Sequence, residues 1–132
     1  ADVLGLEKEI VFLGQLEHEA LVNYYAASEF LVNSSDSESF GKVFVEAAAC
    51  GKTSVATATS GAQDIIEDGK TGLLAPIKDS KILAEKILYL LNNSEVAKKM
   101  GEEAKRLVWQ KFETKRNIEN IINFWQEIVG VN

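Results

Sequence analysis

The sequence predicts an α/β fold: a parallel sheet of about four strands with helices packed on both faces, extended by extra C-terminal helices. Three observations carry this. Short apolar runs alternate with segments of helical periodicity through residues 1–77. The links between them are short, and from about residue 78 the pattern is helical to residue 132. Strand–helix alternation with short links means right-handed crossovers, hence parallel strands in a three-layer arrangement. At 132 residues the chain is the length of one ordinary domain.

In order, Ile10-Val-Phe-Leu13 ends at Gly14 and reads as a buried strand. Glu19 to Ser28 places Leu21, Val22 and Tyr25 at helical spacing, and Phe30-Leu-Val32 is a second strand. The polar run Asn33 to Ser39 follows, then a helix from about Phe40 to Cys50 that Gly51 terminates as a C-cap glycine would. Ser54-Val-Ala-Thr57 is a third strand. Ser60 and Gln63 have capping-box spacing for a short helix through Ile66. Asp68-Gly69 marks a turn, and Gly72-Leu-Leu-Ala75 is a fourth strand before Pro76. Beyond it, Leu83, Ile87, Leu90 and Leu91 form one helical stripe. Val96, Met100, Ala104, Leu107 and Val108 form a second, and Ile118, Ile121, Ile122, Trp125 and Val129 a third.

Composition narrows the function. With 46% hydrophobic and 26% charged residues, a packed core is within reach and disorder is not expected. No apolar run approaches the roughly 20 residues of a membrane span, and no signal peptide opens the chain. The single Cys50 has no internal disulfide partner, which fits a reducing compartment. Together these predict a soluble, cytoplasmic protein. Charge is lopsided: residues 1–75 carry 12 acidic and 4 basic side chains, residues 76–132 carry 8 and 10. An acidic front half argues against a nucleic-acid partner, which needs a basic face.

Ligands of open α/β sheets bind at loops beyond the carboxyl ends of strands. Ser34 to Gly41 is the richest such loop here, polar and leading into a helix N-terminus. That end offers unpaired N–H groups and the positive pole of a helix dipole, which suit a phosphate. Gly41 has no Cβ to hold a ligand away. Loop-to-helix turns with a glycine are also common as plain connections. Glu46 is sharper, because Val43-Phe-Val-Glu-Ala-Ala-Ala-Cys50 surrounds it with apolar or small neighbours. A buried carboxylate is costly unless hydrogen-bonded. Three readings stand: a narrow exposed stripe, a pair with a core donor, or a cleft carboxylate accepting hydroxyl hydrogen bonds, as from a ribose diol.

Glu38-Ser-Phe-Gly-Lys-Val-Phe-Val-Glu46, followed by Ala-Ala-Ala-Cys-Gly51, resembles the E-x7-E signature of the family-4 glycosyltransferases. Phe12-Leu-Gly14, Leu21 through Tyr25-Ala-Ala-Ser-Glu-Phe-Leu-Val32, Ser60-Gly-Ala-Gln-Asp-Ile-Ile66 and Asp68-Gly-Lys-Thr-Gly-Leu-Leu74 extend the likeness in order and spacing. Two glutamates alone would be a weak motif, whereas the ordered set covers essentially the whole chain. The resemblance implies a Rossmann-like, partial C-terminal domain of a two-domain GT-B enzyme with retaining chemistry. It implies that Glu46 holds the ribose hydroxyls and that Glu38 sits near the donor sugar and its anomeric region. Ser39, Phe40, Gly41, Lys42 and Val43 would line the sugar or diphosphate, chiefly through backbone N–H groups, and Gly14, Gln15 and Leu16 the base. No cofactor and no metal are implied; the donor, a nucleoside diphosphate sugar, is the substrate.

Departures shape the expectation. The family's domain begins with two further strands that supply an Arg and a Lys to the diphosphate, and this sequence starts after them. Lys42 is the one cation of the loop. The acceptor domain is the expected missing partner. Lys52-Thr53 replaces the usual residue-proline pair, and Asp64 stands where Glu is frequent. Strand 10–13 would lack its neighbours, so either it slides beside strand 30–32 or two chains pair through the exposed edge or exchange elements. His18, the sole histidine, reads as a capping or surface residue, Cys50 as a small packing side chain, and Trp109 and Trp125 as core or domain-packing residues. Lys98, Lys99, Lys105, Arg106, Lys111, Lys115 and Arg116 read as a solvated helix face, with docking of the parent on an anionic membrane as the alternative.

The expected function is donor binding within a retaining hexosyltransferase acting on a saccharide, lipid or protein, the isolated chain being inactive. The competing reading is a non-enzymatic α/β interaction or nucleotide-binding module. A sugar phosphorylase would need a pyridoxal-phosphate lysine environment, which nothing in the sequence resembles.

Overall fold

A computed structural model describes residues 4–112 of the chain. Five helices and three strands follow the order α1 (His18–Ala27), β1 (Leu31–Asn33), α2 (Lys42–Ala49), β2 (Ser54–Thr57), α3 (Ser60–Ile65), β3 (Gly72–Ala75), α4 (Ser80–Asn92) and α5 (Ser94–Phe112). The sheet order is β1-β2-β3 and every pairing is parallel, with Val32 opposite Val55 and Val55 opposite Leu73. All three strands therefore release their loops at one rim.

β2 is central and buried along its length. Its pleat sends Val55 and Ala56 to opposite faces, where two apolar clusters form. Ala56 packs with Phe44 and Ala48 of α2, with Ala62 and Ile65 of α3, and with Ala104 and Val108 of α5. Val55 packs with Leu73, Leu90 of α4, and Ala97 and Met100 of α5. The expected layers are thus present, and α5 contributes to both cores.

Several expectations are corrected. Ile10–Leu13 is not a strand: among the described residues it has no sheet partner, and its side chains are exposed, Phe12 to 83%. A strand is stable only if its backbone groups are paired, and among the described residues β1 pairs on one side alone, with β2. The sheet accordingly has three strands where about four were expected, and the segment does not slide beside β1. The capping residue of α3 is Thr59, whose hydroxyl accepts from the Ala62 N–H at 3.3 Å, and not Ser60. Val22, Leu91 and Trp109 are exposed, so they belong to no core stripe. The third stripe (118–129), with Trp125, Lys115 and Arg116, lies outside the described residues. Lys98, Lys99, Lys105, Arg106 and Lys111 are exposed as expected, with Arg106 paired to Glu103 at 2.8 Å.

α2 ends as its sequence directs, with Gly51 at φ 74 after Cys50. α5 crosses close to this turn. A Cβ on Gly101 would collide with the Gly51 carbonyl oxygen, so the crossing depends on a helical glycine.

Candidate functional site

The loop between β1 and α2 is built at the carboxyl rim of the sheet. Asn33 closes β1 and its Oδ1 accepts from the Ser35 N–H at 2.9 Å, which turns the chain outward. The Thr57 hydroxyl at the end of β2 donates to the Ser35 carbonyl and ties the loop to the central strand. Gly41 then enters α2 with φ 72, a conformation that glycine adopts without strain. Its position is also sterically closed: a Cβ there would come within 2.9 Å of the Gly61 carbonyl oxygen, and one on Gly61 within 2.8 Å of the Glu38 carbonyl oxygen. The Gly61 N–H and Ser60 hydroxyl both donate to that Glu38 carbonyl, at 2.8 and 3.2 Å. The loop and the start of α3 are interlocked.

Glu38 folds back over its own loop. Its Oε1 accepts from the Gly41 N–H at 3.1 Å and, more weakly, from the Phe40 N–H at 3.4 Å. A carboxylate on a helix N-terminus is stabilised by the orphan N–H groups and the dipole. Two of the amides expected to meet a donor are held by Glu38 in this state. Ser39, Phe40 and Lys42 are exposed, and Val43 is half-buried against the core.

Glu46 lies one turn further along α2 with a side chain only 18% exposed. The Tyr25 hydroxyl of α1 donates to its Oε2 at 3.0 Å, and Lys42 Nζ lies 3.4 Å from its Oε1. It is thus neither on an exposed stripe nor unpaired. Burial, the hydrogen bond to Glu46 and the Glu46 charge push the Tyr25 phenol up to about 12. Glu38, Gly41, Lys42 and Glu46 share one short stretch at the rim. Gly14 and Gln15 stand exposed on the irregular segment before α1, with open space beside Gly14, and Leu16 is half-buried.

Tyr25, Thr57, Ser60 and Gly61 shape the site without having been singled out as site residues. Ser60-Gly61 and Tyr25 were both visible as parts of the ordered motif set, but nothing in their local pattern marked them as site residues.

Residues 1–107 match the family model of glycosyl transferases group 1. N-acetyl-alpha-D-glucosaminyl L-malate synthase of Bacillus anthracis is 29% identical over 126 residues, 96% of this chain but 32% of that protein. Sucrose-phosphate synthase from Thermosynechococcus elongatus superposes with a TM-score of 0.90 at 30% identity, over 99% of this chain and 33% of that one. Anabaena HepE, solved in complex with UDP and glucose, gives 0.87 at 28% identity, over 96% and 34%. The chain spans about a third of the length of these relatives.

Proposed function

Because this chain belongs to the glycosyl transferases of group 1, we propose that it forms the donor-binding part of a retaining glycosyltransferase. The parent reaction would move a hexose from a nucleoside diphosphate sugar to a saccharide, lipid or protein acceptor. The observation that carries this reading is the line Glu38, N-terminus of α2, Glu46 at the carboxyl rim of a parallel sheet. Glu46 lies four positions past the start of α2, about 6 Å along the axis at about 1.5 Å per residue. One carboxylate serves the sugar end of an extended donor and the other its ribose, with the helix N-terminus between them.

The chemistry asked of this stretch is electrostatic. The positive end of α2, equivalent to roughly half a charge, and Lys42 face the diphosphate as negative charge builds on the leaving group. The reading invokes no metal ion. Solved HepE complexes with UDP and with UDP-glucose, on the same fold, support the nucleotide-sugar part of this reading. One loop cation stands against a net −8 over residues 1–75, so the chain alone is proposed to bind a donor weakly and not to transfer it.

Titration of the chain with UDP, followed by amide NMR, tests the reading. Shifts should map to residues 38–46, and Glu46→Gln should weaken binding by about 10-fold or more, the size of a hydrogen bond to a charged group. Shifts confined to other surfaces, or an unaffected Gln variant, would refute it.

A further inference from the structure

The run Asp68-Gly-Lys-Thr-Gly-Leu-Leu74 belongs to the ordered motif set, yet the rim site uses none of it. It leads into β3, an edge strand of the three-stranded sheet. Backbone groups along a strand point alternately to its two sides. The Ala75 carbonyl accepts from the Ala58 N–H at 2.8 Å, just past the end of β2, so Ala75 and Leu73 face β2. Gly72 and Leu74 face away from it, and both are already engaged. The Gly72 carbonyl accepts from the Gly69 N–H at 2.8 Å, within an isolated parallel bridge between Asp68 and Gly72. The Leu74 N–H donates to Asp68 Oδ1, also at 2.8 Å. The next outward position is Pro76, which has no N–H.

The turn that delivers Asp68 is firmly tied. Gly69 takes φ 79, and the Thr71 hydroxyl accepts from the Glu67 N–H at 2.9 Å. The buried Thr53 hydroxyl donates to the Thr71 carbonyl at 2.9 Å and anchors the turn to the interior. Lys86 of α4 stands 3.8 Å from the same Asp68 oxygen.

We propose that Asp68–Gly72 is an edge plug: the Asp68 carboxylate and the Gly69 amide take the place of a neighbouring strand and close β3 to strand addition by a second copy of the chain. An incoming strand needs a row of outward donors and acceptors. Here it finds the Leu74 carbonyl and would have to displace a charged acceptor, a stronger partner than its own carbonyl. Glu67 and Lys70, paired at 2.6 Å, flank the edge and would lose water on contact. Addition is thereby confined to the other side of the sheet, where β1 pairs with β2 alone among the described residues.

Amide NMR over a concentration series reads this edge residue by residue, apart from events at the other one. In wild type the amides of residues 68–75 should keep their shifts and line widths from dilute to concentrated solution; changes there would overturn the proposal without any variant. In Asp68→Ala, shown to be folded by a thermal melt, the Leu74 amide should exchange with solvent faster by about 10-fold or more, the size of a hydrogen bond to a charged group. Residues 72–75 should broaden as concentration rises, with association in sedimentation velocity beyond that of wild type. Asp68→Asn keeps an oxygen acceptor in place and should stay close to wild type. A folded Asp68→Ala whose Leu74 amide stays protected, or whose residues 72–75 ignore concentration, would overturn the proposal. So would an Asp68→Asn that associates like the alanine variant, because charge repulsion and not the plug would then guard the edge.

Discussion

At Lys78 the backbone adopts φ 65, the one non-glycine residue among those described that does so. A Cβ in the left-handed region costs on the order of 1 kcal/mol. Lys78→Gly should therefore stabilise the chain by about 0.5–1 kcal/mol, after allowing for the greater freedom of unfolded glycine. An upward shift in urea midpoint with unchanged slope would confirm it, and a lower midpoint would show that the lysine side chain earns its place by contacts along the small pocket of about 120 Å³ beside Asp36, Thr57 and Asp79. Residues that break a local pattern were the legible ones. Glu46 stood out because a carboxylate among apolar neighbours demands a partner. Tyr25 as one of its partners did not, since it lies 21 positions upstream and a tyrosine on a helical stripe looks like any large apolar side chain. Of the two readings of Trp109, core or domain-packing, its exposure excludes the first.

β2 and β3 were read to the residue, and β1, α2 and α3 to within one or two. The failure at Ile10–Leu13 has a physical origin: apolar β-forming composition is local, whereas being a strand requires a neighbour, and pattern alone does not supply one. Helix packing was partly hidden as well. Gly101 looks like a weakness inside α5, because glycine disfavours helix by roughly 1 kcal/mol relative to alanine. Its closeness to the Gly51 carbonyl reverses the sign. Gly101→Ala should destabilise by about 1–3 kcal/mol, since the overpacking must push α5 off the turn that follows α2. Denaturant unfolding measures this directly, and a stabilised variant would mean that the crossing is looser than described.

At the scale of the molecule, the open edge of β1 and the exposed Ile10-Val-Phe-Leu13 run lie on one chain that spans about a third of its relatives' length. Unpaired edges and contiguous apolar segments invite intermolecular pairing. The chain is expected to self-associate with rising concentration in sedimentation velocity, and Phe12→Lys to suppress this; a concentration-independent monomer would rule it out. Fold class was legible because alternation and turn signals are short-range. What the chain meets beyond itself was not. One feature of the whole arrangement bears on how a ligand arrives. Glu38 is seated on the Phe40 and Gly41 amides, so under the function proposed above loading at those two amides would be a swap rather than an addition. A donor that took them would set the glutamate loose beside it in the same movement, making occupancy and the freeing of an acidic side chain a single coupled event.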